Sequence, residues 1–208
     1  MEVDEYVNTP QQGRSLRSQM RILDATSQLL GEAAFDDIAV AQICARAKLS
    51  TGAFYARFTS KKAVLYAIQR RYMAGLRADI GRVMDDGGVQ KYPLVEVART
   101  VFLLIATRGL AARGVMHAVT AESTRDKQVM KNIAEFSTDL AKAFAAIGDE
   151  RCEAADMAFA TRACIAALQQ EWLYPERVSG DELEVLADRL ARLLVGYLQR
   201  GCLKPGEA

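Results

Sequence analysis

Apolar residues recur along most of the chain at the three- and four-residue spacing of an amphipathic helix. Val40, Ile43, Cys44 and Ala47 lie at positions i, i+3, i+4 and i+7, which places them on one helical face. No stretch of useful length alternates between apolar and polar residues. The pattern therefore predicts an all-α protein with helices at about 15–33, 40–47, 51–58, 61–84, 94–107, 110–123, 126–147, 153–174 and 181–199.

Breaks in this pattern divide the chain into two helical units. We expect a disordered arm at residues 1–12, a three-helix unit at 13–60, a connecting helix at 61–84 and a second unit at 85–208. The hydrophobic fraction of 50% is sufficient for a buried core. Helix boundaries are indicated by the breaker Asp85-Asp86-Gly87-Gly88, by a capping box of Ser179 and Glu182, and by Pro10, Pro93, Pro175 and Pro205.

Charge is distributed unevenly between the two units, although the whole chain carries only +1. Eleven basic and four acidic residues lie between Gln11 and Arg77, a net charge of +7, which leaves −6 for the rest. A basic first unit on a mildly acidic remainder indicates a polyanionic partner for the first unit alone.

Several classes of protein are disfavoured by what the sequence lacks. The first ten residues do not resemble a signal peptide, and no apolar run approaches the length of a membrane span. Cys44, Cys152, Cys164 and Cys202 match no zinc or CxxC spacing, so no metal or cofactor is predicted. Reduced core cysteines are typical of a cytoplasmic protein, and we expect that location.

The segment from Arg21 to Lys62 has the layout of a helix-turn-helix DNA reader. Only Lys48-Leu49-Ser50 separates the second and third helices, so the two must cross steeply. Phe54 and Phe58 are expected to face inward, with Ser50 as the N-cap of the third helix. Small residues in the first turn of that helix would let it enter the major groove closely.

Residues 17–72 resemble the amino-terminal domain of the TetR family of transcriptional regulators. The resemblance rests on Arg21-Ile22-Leu23-Asp24-Ala25, on Phe35 to Val40 and on Ile43-Cys44-Ala45-Arg46-Ala47. Its strongest parts are Leu49-Ser50-Thr51-Gly52-Ala53-Phe54-Tyr55 and Phe58-Thr59-Ser60-Lys61-Lys62. The combination is specific, whereas each piece alone would be weak.

The resemblance implies roles for individual residues. Thr51 and Ala53 would meet base edges, and Tyr55 would place its hydroxyl on a phosphate. Lys61 and Gln42 are further candidates for phosphate contacts, and Arg14 and Arg17 for an arm along the DNA backbone. The full set of predicted DNA contacts is Arg14, Arg17, Gln42, Lys48, Thr51, Gly52, Ala53, Tyr55, Arg57 and Lys61.

The chain departs from the family pattern at three places. Lys48 stands where the family usually has glycine, and a left-handed backbone there would cost a lysine about 1 kcal/mol. Ala39 replaces a threonine or serine and so removes an N-cap hydroxyl. Ala56 and Arg57 replace a second aromatic ring or histidine, and Arg57 is a candidate for guanine or phosphate. These departures affect which half-site sequence we would expect more than whether the protein binds DNA.

For the second unit, the resemblance implies a small hydrophobic effector and a two-fold homodimer through the last two helices. Candidate pocket residues are Met73, Phe102, His117, Phe136, Phe144 and Trp172, with solid core packing as the alternative for each. A lone histidine is more often a core residue, and we interpret His117 so. Glu122 and Arg125 are expected to pair one turn apart, with a role in orienting an effector as the alternative. Candidate interface residues are Cys164, Leu168, Leu186, Leu190, Leu193 and Tyr197.

The leading hypothesis is a homodimeric repressor that an effector releases from a palindromic operator in double-stranded DNA. An activator remains open within this hypothesis. An enzyme or carrier is the second hypothesis, but the sequence has no catalytic set around its single histidine and no phosphate-binding glycine loop. An architectural DNA-binding protein is the third, and the acidic second unit argues against it.

Overall fold

The computed structural model describes residues 13–85, 87–123, 125–149, 152–173 and 180–201. Within these ranges the chain forms α-helices, two short 3-10 turns and no β-strand, which confirms the predicted all-α fold. The helices are α1 (Gly13–Leu30), α2 (Val40–Ala47), α3 (Thr51–Tyr55), α4 (Lys61–Met84), α5 (Leu94–Ala111), α6 (Arg113–Ser123), α7 (Lys127–Ala145), α8 (Ala154–Leu173) and α9 (Gly180–Gly201).

In the first unit, two helices end earlier in the structure than predicted. The first ends at Leu30 instead of residue 33, where the N–H groups of Glu32 and Ala33 both bond to the Leu29 carbonyl in a closing turn. The third ends at Tyr55 instead of residue 58, because a tighter turn follows and brings Phe58 into the core. Other predictions lie outside the described residues: the arm at 1–12, the cap at Ser179, Cys202, Asp86, Pro10, Pro175, Pro205 and the side chain of Arg14.

The first unit packs α1 to α3 around a small apolar core. Ile22, Phe54 and Phe58 are fully buried there, and the Phe54 and Phe58 ring centroids are 6.0 Å apart. Thr26 is buried among these apolar groups, and its hydroxyl donates to the Ile22 carbonyl within α1. The predicted inward orientation of both phenylalanines is confirmed.

Helix α4 connects the two units and is covered by both. It packs against α1 on one side and against α5, α6 and α7 on the other. As a consequence, seven consecutive residues from Ala63 to Gln69 are buried, which a helix at the edge of one unit would not show. Movement of the second unit can therefore reach the first unit through α4.

The second unit is a bundle of α5 to α9. Helix α9 packs mainly on α5 and also on α8, while α8 packs on α6 and α7. Gly109 allows α5 to lie against Trp172, since a Cβ atom there would fall 2.3 Å from the indole nitrogen. No helix in the described ranges is long and apolar enough to cross a membrane.

Candidate nucleic-acid interface

The turn between α2 and α3 depends on a lysine in a left-handed conformation. Lys48 has φ 52° and ψ 48°, and it is the one non-glycine residue with positive φ in the described part of the chain. Its N–H and that of Leu49 satisfy the Ala45 and Cys44 carbonyls at the end of α2. A guanidinium N–H of Arg21 donates to the Lys48 carbonyl at 3.1 Å and ties the turn to α1.

Replacing Lys48 with glycine should raise the free energy of unfolding by about 1 kcal/mol, because glycine adopts this conformation without strain. Lys48→Ala is the matched control, since alanine removes the charge but keeps the Cβ. Urea denaturation of the three proteins measures the effect. If the glycine and alanine variants were equally stable, the left-handed backbone at position 48 would not be strained by a Cβ atom.

Helix α3 presents small and polar groups to solvent above its buried phenylalanine. The Ser50 hydroxyl caps the helix by accepting the Ala53 N–H at 3.1 Å, as predicted. Thr51, Gly52 and Tyr55 are exposed, and Tyr55 retains 55% of its accessible surface. Ala53 and Arg57 are half-buried, and the Arg57 Nε donates to the Ser15 carbonyl of α1 at 3.5 Å.

Three residues predicted to contact the DNA backbone belong to the same unit as this helix. Arg17 and Lys48 are exposed, on α1 and in the turn respectively. Gln42 uses its side-chain carbonyl to accept the Ala39 N–H at 2.6 Å, which secures the start of α2 in the absence of a hydroxyl at Ala39. Gln42 is an exposed residue, and its amide NH2 group remains available to donate to a phosphate.

Lys61 has a structural role that the sequence did not indicate. Its ammonium donates to the Phe35 and Asp36 carbonyls at 2.7 and 3.2 Å and lies 4.5 Å from the Phe35 ring centroid. It thereby holds the 3-10 turn before α2 against the start of α4. Two of its three N–H donors are used in this way, and a phosphate contact from Lys61 stays a prediction.

Residues 22–68 match the family model described as bacterial regulatory proteins of the tetR family. These residues form a TetR-family amino-terminal domain. The predicted family is thus confirmed over the segment that carries the helix-turn-helix geometry. No curated protein sequence matches the chain.

Solved structures extend the likeness to the second unit. A candidate TetR-family transcriptional regulator from Mesorhizobium loti has 15% identity and a TM-score of 0.68, with 89% of this chain and 98% of that chain covered. The fatty acid degradation regulator FadR from Bacillus halodurans has 14% identity and a TM-score of 0.70, over 89% and 96%. The TetR-family repressor AlkX from a Dietzia strain, implicated in n-alkane biodegradation, has 15% identity and a TM-score of 0.57, over 88% and 95%.

At these identities the likeness establishes the fold. The chain therefore has the TetR-family regulator fold over both units, and its structural relatives are transcriptional regulators rather than enzymes. In this chain, α4 joins the amino-terminal domain to the second unit, and polar contacts also cross between the two.

One such contact is a charge cluster formed by Lys62, Tyr66, Glu122 and Asp126. The Lys62 ammonium lies 2.9 Å from a Glu122 carboxylate oxygen and 3.4 Å from one of Asp126. The Tyr66 hydroxyl donates to Asp126, which also caps α7 by accepting the Gln128 N–H at 2.8 Å. The predicted pair of Glu122 with Arg125 is present at 3.8 Å. Since α4 contributes two members and the α6–α7 corner the others, the cluster fixes α4 against the second unit.

The titration of Asp126 reflects these contacts. The hydrogen bond from Tyr66 lowers the Asp126 pKa most, with further lowering by the backbone N–H groups of α7 and by Lys62, while burial opposes the shift. A carboxyl with a lowered folded-state pKa stabilises the protein above its unfolded pKa. That stability is lost as pH falls through the folded-state value.

Tyr66→Phe should lower the free energy of unfolding by about 1.5–3 kcal/mol at neutral pH, because it removes a hydrogen bond to a charged acceptor. The difference from the unchanged protein should shrink as pH falls below the ordinary pKa of an aspartate and through the lowered folded-state pKa of Asp126. Tyr72→Phe on the same helix is the control, since the Tyr72 hydroxyl has no partner in the described part of the chain. Urea denaturation at several pH values measures the stability of both variants. A loss of stability in Tyr66→Phe that does not depend on pH would contradict the hydrogen bond from Tyr66 to the charged Asp126.

The structure brings together only part of the predicted effector pocket. Met73, Phe136 and Trp172 line a closed cavity of about 20 Å³ between α4 and the second unit. Phe102 and Phe144 pack edge to face in the core with centroids 5.7 Å apart, so the alternative of solid packing holds for them. The interpretation of His117 as a core residue is wrong, because it lies exposed on α6 beside an open cleft.

Half of the predicted dimer interface is also corrected. Cys164, Leu168 and Leu190 are buried inside the subunit, where the Cys164 thiol contacts the Leu190 carbonyl at 3.5 Å. They cannot meet a second chain, since α8 and α9 pack against each other through them. Leu186 is half-buried, whereas Leu193 and Tyr197 are exposed.

Proposed function

We propose that the protein is a homodimeric repressor that binds a palindromic operator through α3 and leaves it when a small hydrophobic effector binds. The observation that carries this proposal is the exposed face of α3. Thr51, Gly52 and Tyr55 project from a short helix whose position is fixed from beneath by Phe54 and Phe58. A rigid helix with small residues at its start fits the major groove.

The charges around α3 support DNA binding through its exposed face. Arg17 and Lys48 are exposed on the same unit as α3, where they would meet the phosphate backbone. Arg46 is instead paired with Glu32 through two contacts of 2.8 Å, and we assign it no DNA contact. Several phosphate contacts would make the affinity fall steeply with salt.

Exposed apolar side chains on α8 and α9 support the homodimer. Phe159 (50% exposed) and Tyr197 (38%) contact each other with ring centroids 5.3 Å apart. Val185 (50%) and Leu193 (55%) lie on the same helix as Tyr197. We call these four residues the α8–α9 patch. Large apolar groups grouped on a surface mark an interface, and a two-fold dimer through this patch would present two α3 helices to DNA.

The closed cavity beneath Tyr72 supports an effector site in the second unit. Met73 and Met116 contribute to its wall, and methionine side chains rearrange readily to admit a ligand. Expansion of this cavity would press on α4, which packs against both units. A small shift of α4 changes the spacing of two α3 helices that must fit half-sites one DNA turn apart, so that operator binding weakens.

Two matched variants separate the DNA surface from the dimer surface. Ala53→Asp places a negative charge at the groove and should abolish binding to an operator recovered from random DNA, while the protein stays dimeric. Leu193→Asp places a charge in the α8–α9 patch and should yield monomers with operator affinity reduced at least a hundredfold. Sedimentation and fluorescence anisotropy measure the two effects. If the Leu193→Asp protein stayed dimeric and kept its full operator affinity, the α8–α9 patch could not be the dimer interface.

A further inference from the structure

An open cleft of about 490 Å³ lies where α1, α4 and the turn between α5 and α6 meet. This volume is within the range of small-molecule sites in proteins. Apolar groups form part of its wall, among them Ile68, Leu110 and Val115. The residues at its polar side are Ser27, Arg71, Tyr72, Arg108 and Arg113.

The cleft is positively charged. Three arginines line it, and none of its described lining residues is acidic. Two of these arginines are paired with carboxylates: Arg71 contacts Asp24 at 2.7 Å, and Arg108 contacts the buried Asp79. Asp79 also pairs with Arg82, so one carboxylate is shared by two guanidinium groups.

Arg113 is the lining arginine whose guanidinium can still bind an anion. It has no ion pair within the described part of the chain, and it borders both this cleft and the neighbouring cleft beside His117. It is also the first residue of α6, whose initial N–H groups lack carbonyl partners in their own helix. A guanidinium beside the positive end of a helix dipole favours an anion.

Tyr72 separates this cleft from the closed apolar cavity. It lines both spaces, and its hydroxyl is buried without a hydrogen-bond partner among the described residues. Burial raises the Tyr72 pKa, so the hydroxyl keeps its proton and can donate. A buried hydroxyl without a protein partner is costly, and a ligand oxygen at this place would supply one.

We propose that the cleft binds the acidic group of an amphipathic carboxylate, whose apolar part occupies the cavity behind Tyr72. This inference rests on the proposed effector-responsive function and gives the effector its chemical class. The carboxylate accepts hydrogen bonds from Arg113 and the Tyr72 hydroxyl. The apolar part displaces Met73 and Met116, which gives the closed cavity its volume.

A ligand at this place contacts both units at once. Ser27 and Gly31 belong to the amino-terminal domain, whereas Arg108 and Arg113 belong to the second unit. The two units also touch here, since Gly114 packs directly on the Leu30 backbone. Occupation of the cleft therefore acts on the junction that sets the position of α3.

The test compares decanoate with 1-decanol at neutral pH, using full-length protein and Trp172 fluorescence. Trp172 is the chain's single tryptophan and lines the cavity, so it reports entry of the apolar part. Arg113→Gln should weaken decanoate binding at least tenfold and leave 1-decanol unchanged. Tyr72→Phe should also weaken decanoate. The control is Arg99→Gln, which removes an exposed arginine of α5 paired with Glu184 and should change neither affinity.

Equal binding of decanoate and 1-decanol, or binding of neither, would overturn the carboxylate site. A decanoate affinity that Arg99→Gln lowers as much as Arg113→Gln would overturn it as well, because the effect would then reflect net charge. Operator binding without ligand is measured separately, so loss of the proposed function is distinguished from loss of this site. In the unchanged protein, decanoate should release the operator, and Arg113→Gln should require at least ten times more.

Discussion

Replacing Phe54 with alanine should lower the free energy of unfolding by about 3–5 kcal/mol and abolish operator binding. Phe54 is fully buried and contacts both Phe58 and the Tyr55 ring, with centroids 6.0 and 5.2 Å away. Its removal leaves a cavity under a helix of only five residues, which has no other large buried side chain to hold it. Urea denaturation and fluorescence anisotropy measure the two losses.

The adjacent residue provides the control for this prediction. Tyr55→Ala removes an aromatic ring from the same helix, but that ring is 55% exposed. We expect a change in stability below about 1 kcal/mol, as for most surface substitutions, together with weaker operator binding. If both variants lost stability equally, the assignment of Phe54 to the core and Tyr55 to the DNA surface would be wrong.

Gly114→Ala should destabilise the protein by about 1–3 kcal/mol, the usual cost of inserting an atom into a packed site. A Cβ atom at Gly114 would lie 2.0 Å from the Leu30 carbonyl oxygen and 2.8 Å from the Gly31 nitrogen. Both neighbours are backbone atoms at the end of α1, so neither can move as a side chain does. The start of α6 must then shift away from the amino-terminal domain, and operator affinity should change with it.

Gly81→Ala is the matched control within α4. A Cβ atom at Gly81 meets nothing within 4 Å, so alanine adds helix propensity without a clash. We expect it to stabilise the protein by about 0.5–1 kcal/mol. Thermal and urea denaturation of both variants measure the contrast. Stabilisation by Gly114→Ala would contradict the close contact between α6 and α1.

Local patterns predicted the helix-turn-helix and its core. The Ser50 cap, the short link at residues 48–50 and the spacing of Phe54 and Phe58 are all contained in eleven consecutive residues, so few folds satisfy them. The left-handed backbone of Lys48 was instead implied by the family resemblance, because the family usually has glycine at that position. The end of α3 was not, because the turn that buries Phe58 depends on packing against α1.

Contacts between distant segments had no signal in the sequence. Lys61 binds two backbone carbonyls, which no side-chain pattern reveals, and Lys62 meets Glu122 sixty residues away. His117 lies between apolar neighbours in sequence, yet α6 turns that position outward. Helix α8 is apolar nearly all round, so its sequence did not distinguish the buried Cys164 from the exposed Phe159. The packing of α8 against α6, α7 and α9 decides between them.

Operator binding by a homodimer is tested most directly by selecting binding sites from random-sequence DNA with the purified, unliganded protein at low salt. We expect a palindrome whose half-sites are one helical turn apart, and an affinity for it that falls steeply as salt rises. Recovery of no enriched sequence, or of a single half-site bound by one chain, would contradict a homodimeric operator-binding regulator.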